Sequence, residues 1–179
     1  MLSDGVVLLR PFAMADATAL AEIWMDETIR ARNTIPEPSE SAARLWIADR
    51  HAAATADEAW EWAVIDAGTD RLAGRRALKH IDWRHGHAIA GGWIGSAFRG
   101  QRFAPRSLRL AAAHAFQRGL FRVEAQVEAD NEASIRSVQF AGMQHEGRLR
   151  GYFAAKAGGH VDAEVFGLLA SDPSPFWSR

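Results

Sequence analysis

Hydrophobic positions along the chain alternate between two periods, and the changes of period mark the elements. Val6-Val7-Leu8-Leu9 is a short apolar run stopped by Pro11, which predicts a buried strand. Asp16 stands where a helix cap is expected, and Leu20, Ile23 and Trp24 fall on one face of a helix running to about Asp26. The prolines of Ile35-Pro36-Glu37-Pro38-Ser39 predict a loop. Ser39 or Ser41 then opens a second helix, with Ala42, Leu45, Trp46 and Ala48 facing inward. Residues 60–65 and 72–81 read as strands around the turn Asp66-Ala67-Gly68-Thr69-Asp70. Residues 82–87 form the next turn, and residues 88–94 a third strand of this group. Ala104, Leu108, Ala111 or Ala112, Ala115 and Phe116 then recur along one side of a long helix that Gly119 ends. From Arg122 the pattern alternates strictly: Val123, Ala125, Val127 and Ala129 face one way, Arg122, Glu124, Gln126 and Glu128 the other. A short helix over 131–141 ends at Gly142, and residues 143–152 and 161–169 form two last strands around Gly158-Gly159. The order predicts a single α/β (α+β) domain over residues 1–170, a mixed central sheet of about six to seven strands flanked by about four helices. Residues 171–179, with two prolines, read as a tail.

Composition narrows the chemistry. At 179 residues the chain is long enough to bury one real core. Lys+Arg 21 against Asp+Glu 22 leaves no global basic excess to hold nucleic acid. There is no cysteine, which removes thiolate nucleophiles and cysteine zinc sites and fits a cytoplasmic protein. No signal-peptide pattern and no run of membrane-spanning length is present. The turn His85-Gly86-His87 invites a metal, but no carboxylate or cysteine pattern completes a ligand set, so no metal site is expected. Dinucleotide, Walker and serine-hydrolase glycine motifs are absent.

What remains is Arg99-Gly100-Gln101-Arg102-Phe103-Ala104, between a strand and a helix, with Arg106 and Arg109 following. A helix N-terminus offers unpartnered N–H groups and partial positive charge, and a glycine lets backbone approach an anion closely. Taken alone, the segment fits either an anion loop or a solvated turn. Later come Asn131-Glu132-Ala133-Ser134, then Gly142-Met143 and Glu146-Gly147, while Leu9-Arg10-Pro11 stands at the start. This ordered set resembles the GNAT N-acetyltransferases, above all the RimJ/RimL-type branch, from about Val6 to Leu169.

The resemblance implies an acetyl-CoA (or other acyl-CoA) site. Backbone amides from Gln101 to Ala104, in the loop that also holds Arg99, Gly100, Arg102 and Phe103, would cradle the pyrophosphate. The backbone of Trp93 and Ile94 would pair with the pantetheine arm, the Asn131 side chain would hydrogen-bond it, and Ser134 would stabilise or protonate the departing thiolate. Asn131 and Ser134 also fit plain helix capping. The acceptor would be a small-molecule amine or a peptide N-terminus, held by the early helices and the 26–38 segment with Arg30, Arg32 and Asn33. Relatives often pair, so a homodimer is one expectation.

Two positions depart from the family pattern. Arg102 replaces the central loop glycine, where a side chain would obstruct the phosphates, point away while its N–H still serves, or contact a phosphate through its guanidinium. Ile89 replaces the usual acid, and Gly92 the usual aromatic, which leaves space. Glu124, Glu128, His80 and Asp82 are the substitute proton acceptors, with Glu124 taken as the catalytic candidate beside Ser134. Two function classes follow: an amine N-acyltransferase, and a non-catalytic relative with a degraded cofactor site.

Overall fold

The computed structural model of the chain describes residues 1–55, 59–155 and 158–173. Most of the expected tail, from residue 174 on, lies outside the described residues. One eight-stranded sheet runs through the molecule in the order β1-β2-β3-β4-β5-β6-β8-β7. Its strands are β1 Leu2–Ser3, β2 Val7–Arg10, β3 Ala59–Asp66, β4 Leu72–Asp82, β5 His87–Ile94, β6 Arg122–Glu128, β7 Gln144–Ala154 and β8 His160–Leu169. Strands β1 to β5 pair as an antiparallel meander in chain order. The β5–β6 pair is parallel, and β6, β8 and β7 are again antiparallel. A parallel pair needs a crossover, and helix α4, Phe103–Gln117, supplies it.

Five α-helices cover the sheet: α1 Ala17–Trp24, α2 Glu27–Arg32, α3 Glu40–Thr55, α4, and α5 Glu132–Phe140. On one face Leu108, Ala111, Ala112 and Ala115 of α4 and Val138 of α5 pack with Ala88, Ala90, Val123, Ala125 and Val127 of the sheet. On the other face Leu20 and Trp24 of α1 and Ala43 and Ile47 of α3 pack with Ala63, Ile65, Leu72 and Trp93. The alternation expected along β6 holds: Val123, Ala125 and Val127 are buried, and the residues between them are half-buried.

The differences from the expected elements have local causes. Helix α3 buries Ala43 and Ile47, whereas Leu45 and Ala48, expected inside, are exposed. Its apolar residues are spread around the axis, so periodicity alone defined the face poorly. Ser39 is its cap: the hydroxyl accepts from Ala42 N–H at 3.1 Å. Asp16 precedes α1, but its carboxylate takes the Ala13 N–H at 2.7 Å and both Arg10 guanidinium arms instead. Part of the 26–38 segment, expected to help hold the acceptor, is α2, capped by Asp26 through Thr28 N–H at 2.9 Å. None of the described helices is long and apolar enough to cross a membrane.

Candidate functional site

Strands β5 and β6 share only four paired positions, from His87↔Arg122 to Ala90↔Ala125. Beyond Ala90, β5 stays with β4 as far as Gly74↔Ile94, while β6 stays with β8 as far as Glu128↔Ala163. The two strands therefore splay, and the inner edge of β5 from Gly91 to Ile94 has lost its neighbour. The chain leaves that edge through a single 3-10 turn, Ser96–Phe98, and enters α4. Among the described residues the backbone N–H groups of Gly100, Gln101, Arg102 and Ala104 have no protein acceptor. Free N–H groups at the start of a fifteen-residue helix form an anion cradle beside an open strand edge.

Arg102 adopts φ 63 and ψ 19, the left-handed region. The central position of this loop thus does require a backbone that glycine takes at no cost and other residues take at roughly 1 kcal/mol. The side chain reaches the end of α5: its guanidinium lies 5.7 Å from the centre of the Phe140 ring. The other arginines of the cluster are also held. Arg99 donates to Ile94 O at 3.1 Å and to Asp26 at 2.6 Å, Arg106 to Asp4 at 2.8 Å, and Arg109 to the carbonyls of Phe140 and Ala141. The backbone, more than these side chains, is what remains available to an anion.

The space left by Gly92 is filled from the next strand, which the sequence did not reveal. A Cβ on Gly92 would lie 3.2 Å from the Arg76 guanidinium carbon. That guanidinium, buried at 7% exposure, donates to Gly91 O at 3.3 Å, to Ala104 O at 2.9 Å and to Ser107 Oγ at 3.0 Å. No carboxylate pairs with it among the described residues. Burial, and then the neighbouring Arg75 charge, push its pKa down to about 10, so it stays a cation at neutral pH. A permanent positive charge therefore sits under the first turn of α4, tying sheet to loop.

Glu124 and Glu128 project from β6 on the face shared with α1 and α3, whereas Ser134 stands on α5, on the α4 face. Ile89 is in register with Glu124 across the β5–β6 pair, so the carboxylate stands beside the position that the family gives to an acid. Glu124 accepts from Arg122 and from Gln126, each at 2.8 Å. Arg122 also pairs with Glu146. Of the other substitutes, Glu128 is engaged by Arg32 and Asp82 by His85. Asn131 caps α5, accepting from Ser134 N–H at 3.2 Å, and Ser134 is half-buried in the first turn.

Helix α2 bridges the mouth of the splay. Asp26 holds Arg99 on the α4 side, and Arg32 holds Glu128 and, at 2.9 Å, Asp130 on the α5 side. Arg30 and Asn33, expected to meet an acceptor, bind Glu37 and Ile29 O. An open cleft of about 730 Å³ borders this bridge, between α1, Asp70–Leu72 and the Gly95–Arg99 segment. Burial raises the pKa of Asp26, but hydrogen bonds from Thr28 and the Arg99 charge outweigh it and hold the group below its ordinary value. A depressed carboxyl adds stability above its unfolded value of about 4 and loses it as pH falls through the folded one. In an acid titration followed by amide hydrogen exchange, α2 is expected to open before the sheet, and Asp26→Asn to remove that early step.

At the turn of residues 82–87, one donor atom from each of Asp82, His85 and His87 lies within 4.8 Å of the others.

Known proteins show the same architecture. The profile of the family described as Acetyltransferase (GNAT) domain matches residues 7–144. An uncharacterized N-acetyltransferase of Bacillus licheniformis, p20, is 31% identical over 163 residues, 90% of this chain and 91% of its own. Mycobacterium smegmatis RimJ, solved with CoA-disulfide, superposes with TM-score 0.84 at 22% identity, covering 93% of this chain and 83% of that one. The microcin C7 self-immunity acetyltransferase MccE, solved with acetyl-CoA and AMP, gives TM-score 0.83 at 17% identity over 93% of each chain.

Proposed function

Since the chain belongs to the GNAT acetyltransferase family, we propose that it transfers an acetyl group from acetyl-CoA to a primary amine by direct attack on the thioester. The observation that carries this reading is the set of backbone N–H groups of Gly100, Gln101, Arg102 and Ala104 that lack a protein acceptor among the described residues, beside the open edge of β5. The residues fit the co-substrate: a Cβ at Gly100 would meet nothing within 4 Å, and the Arg102 side chain lies on Phe140. In this reading the loop amides hold the pyrophosphate, and the free edge of Trp93 and Ile94 lies along the pantetheine arm. Glu124 takes the proton released by the acceptor ammonium, directly or through a water. Ser134 hydrogen-bonds the departing sulfur as the carbon–sulfur bond breaks, stabilising the thiolate or relaying to it the second proton lost by the attacking nitrogen. The half-buried acids Glu124 and Glu128 beside the splay suit a cationic acceptor, either a small amine or a peptide N-terminus.

Calorimetry with acetyl-CoA, followed by thiol release across a panel of amines and short peptides, tests the proposal. Saturable binding and acceptor-dependent thiol release are expected. Absence of heat at millimolar co-substrate favours instead the non-catalytic relative, for which the arginine at position 102 and Ile89 in place of an acid are the specific observations. The variant Arg102→Gly separates two uses of that arginine. Relief of the left-handed backbone is expected to add up to about 1 kcal/mol of stability. Acetyl-CoA affinity is expected to stay within about threefold, because the guanidinium lies over the Phe140 ring. A tenfold loss would assign it a phosphate contact.

A further inference from the structure

We propose that Asp82, His85 and His87 form a binding site for a single borderline transition-metal ion such as Zn²⁺, Ni²⁺ or Cu²⁺. The site lies on the β4–β5 turn and is separate from the proposed acetyl transfer. Asp82 Oδ2 is 2.9 Å from His85 Nδ1 and 3.7 Å from His87 Nε2. Two donors bonded to one ion at about 2.1 Å are about 3.0 Å apart at a right angle and about 3.4 Å apart at the tetrahedral angle. The two Asp82 separations bracket both values and all three donors lie within 4.8 Å of one another, so side-chain rotation, with loss of the proton shared by Asp82 and His85 Nδ1, would close the set. The two imidazoles lie side by side, 24° from parallel, with ring centres 6.4 Å apart.

The turn is built without the ion. Asp82 Oδ1 takes the His85 N–H, and Asp82 O takes the Gly86 N–H, each at 2.8 Å. Gly86, at φ +68, turns its carbonyl to Phe121 N–H at 2.7 Å and Arg122 N–H at 3.0 Å. Little ordering therefore remains to be done on binding. Two imidazoles and one carboxylate favour zinc, nickel and copper over calcium or magnesium, which take oxygen ligands. The partial exposure of all three side chains leaves positions for water to complete the coordination. The consequence is structural: His87 is the first residue of β5 and pairs with Arg122, so the ion would pin the turn where the two halves of the sheet begin to join.

The test uses untagged, chelator-treated protein and the metals alone. Equilibrium dialysis is expected to show one equivalent of Zn²⁺ or Ni²⁺ per chain. His85→Ala and His87→Ala are each expected to weaken binding at least tenfold, and the double variant to lose the equivalent. Zn²⁺ is expected to raise Tm in the parent and not in the double variant. Cu²⁺ is expected to quench the half-exposed Trp83, which lies between two ligands in sequence, and Asp82→Asn to reduce that quenching while both imidazoles are retained. Retention of the equivalent by the double variant would place the metal on other histidines and overturn the proposal. So would preference for Ca²⁺ or Mg²⁺, or the absence of stoichiometric binding at about 100 µM metal.

Discussion

Gly74→Ala is expected to destabilise the fold by about 3 kcal/mol or more, although it adds one methyl group. An added Cβ would stand 2.2 Å from Trp93 O, 2.9 Å from Ile94 Cδ1 and 3.0 Å from Ile94 Cα. The first and last of these are backbone atoms of the strand paired with Gly74, so no rotamer relieves the overlap. The end of β5 would have to move, and that end is the free edge of the splay. Stability in urea and acetyl-CoA affinity are therefore expected to fall together. Gly91→Ala is the internal control: its Cβ would meet nothing within 4 Å, and a change within about 1 kcal/mol is expected. Equal effects of the two substitutions would show that space at Gly74 is not the constraint.

Glu124→Gln is expected to lower kcat/KM about a hundredfold at neutral pH while acetyl-CoA affinity is retained. The carboxylate has one oxygen bonded to Arg122 and the other to Gln126. Each oxygen keeps a second lone pair, so the group still accepts a proton or orders a water. The pH–rate profile discriminates roles. As pH rises through the pKa of the acceptor, the amine arrives already deprotonated, and the deficit of the variant is expected to shrink. A deficit of constant size at every pH would make Glu124 a group that positions Arg122, and proton transfer would then pass to water or to another side chain.

The long regular elements were legible because burial leaves a period in the sequence. Val123, Ala125 and Val127 against Glu124 and Gln126 described β6 completely, and the apolar side of α4 predicted its packing. Helix α2 was missed because six residues between a helix and two prolines carry too short a period, and its cap, Asp26, also serves Arg99. Strand β1, two residues long, left no pattern at all. In the site, the loop and its odd arginine could be read directly, but the left-handed backbone at Arg102 could only be suspected. Arg76 was invisible because an arginine in a strand reads as solvent-facing. The one clue was indirect: Gly91-Gly92 signalled a vacancy on the adjacent strand that something had to fill. Asp82 was considered only as a base, since its approach to His85 and His87 depends on the path of the turn.

The four-rung parallel seam between β5 and β6 also bears on how the chain folds. Strands β1 to β5 are joined through neighbours in sequence, and so are β8 and β7. The seam instead joins His87 to Arg122 and can close only when α4 has crossed the sheet. Loop closure over that distance brings few hydrogen bonds, so we expect it near the rate-limiting step. Shortening Val123 or another residue packed along the seam is then expected to slow folding more than it speeds unfolding. A molecule bound between the splayed strands and the start of α4 would act on the reverse process. Its site is complete only in the native state, so binding would lower that state relative to the transition state and lengthen its lifetime while leaving the folding rate nearly unchanged.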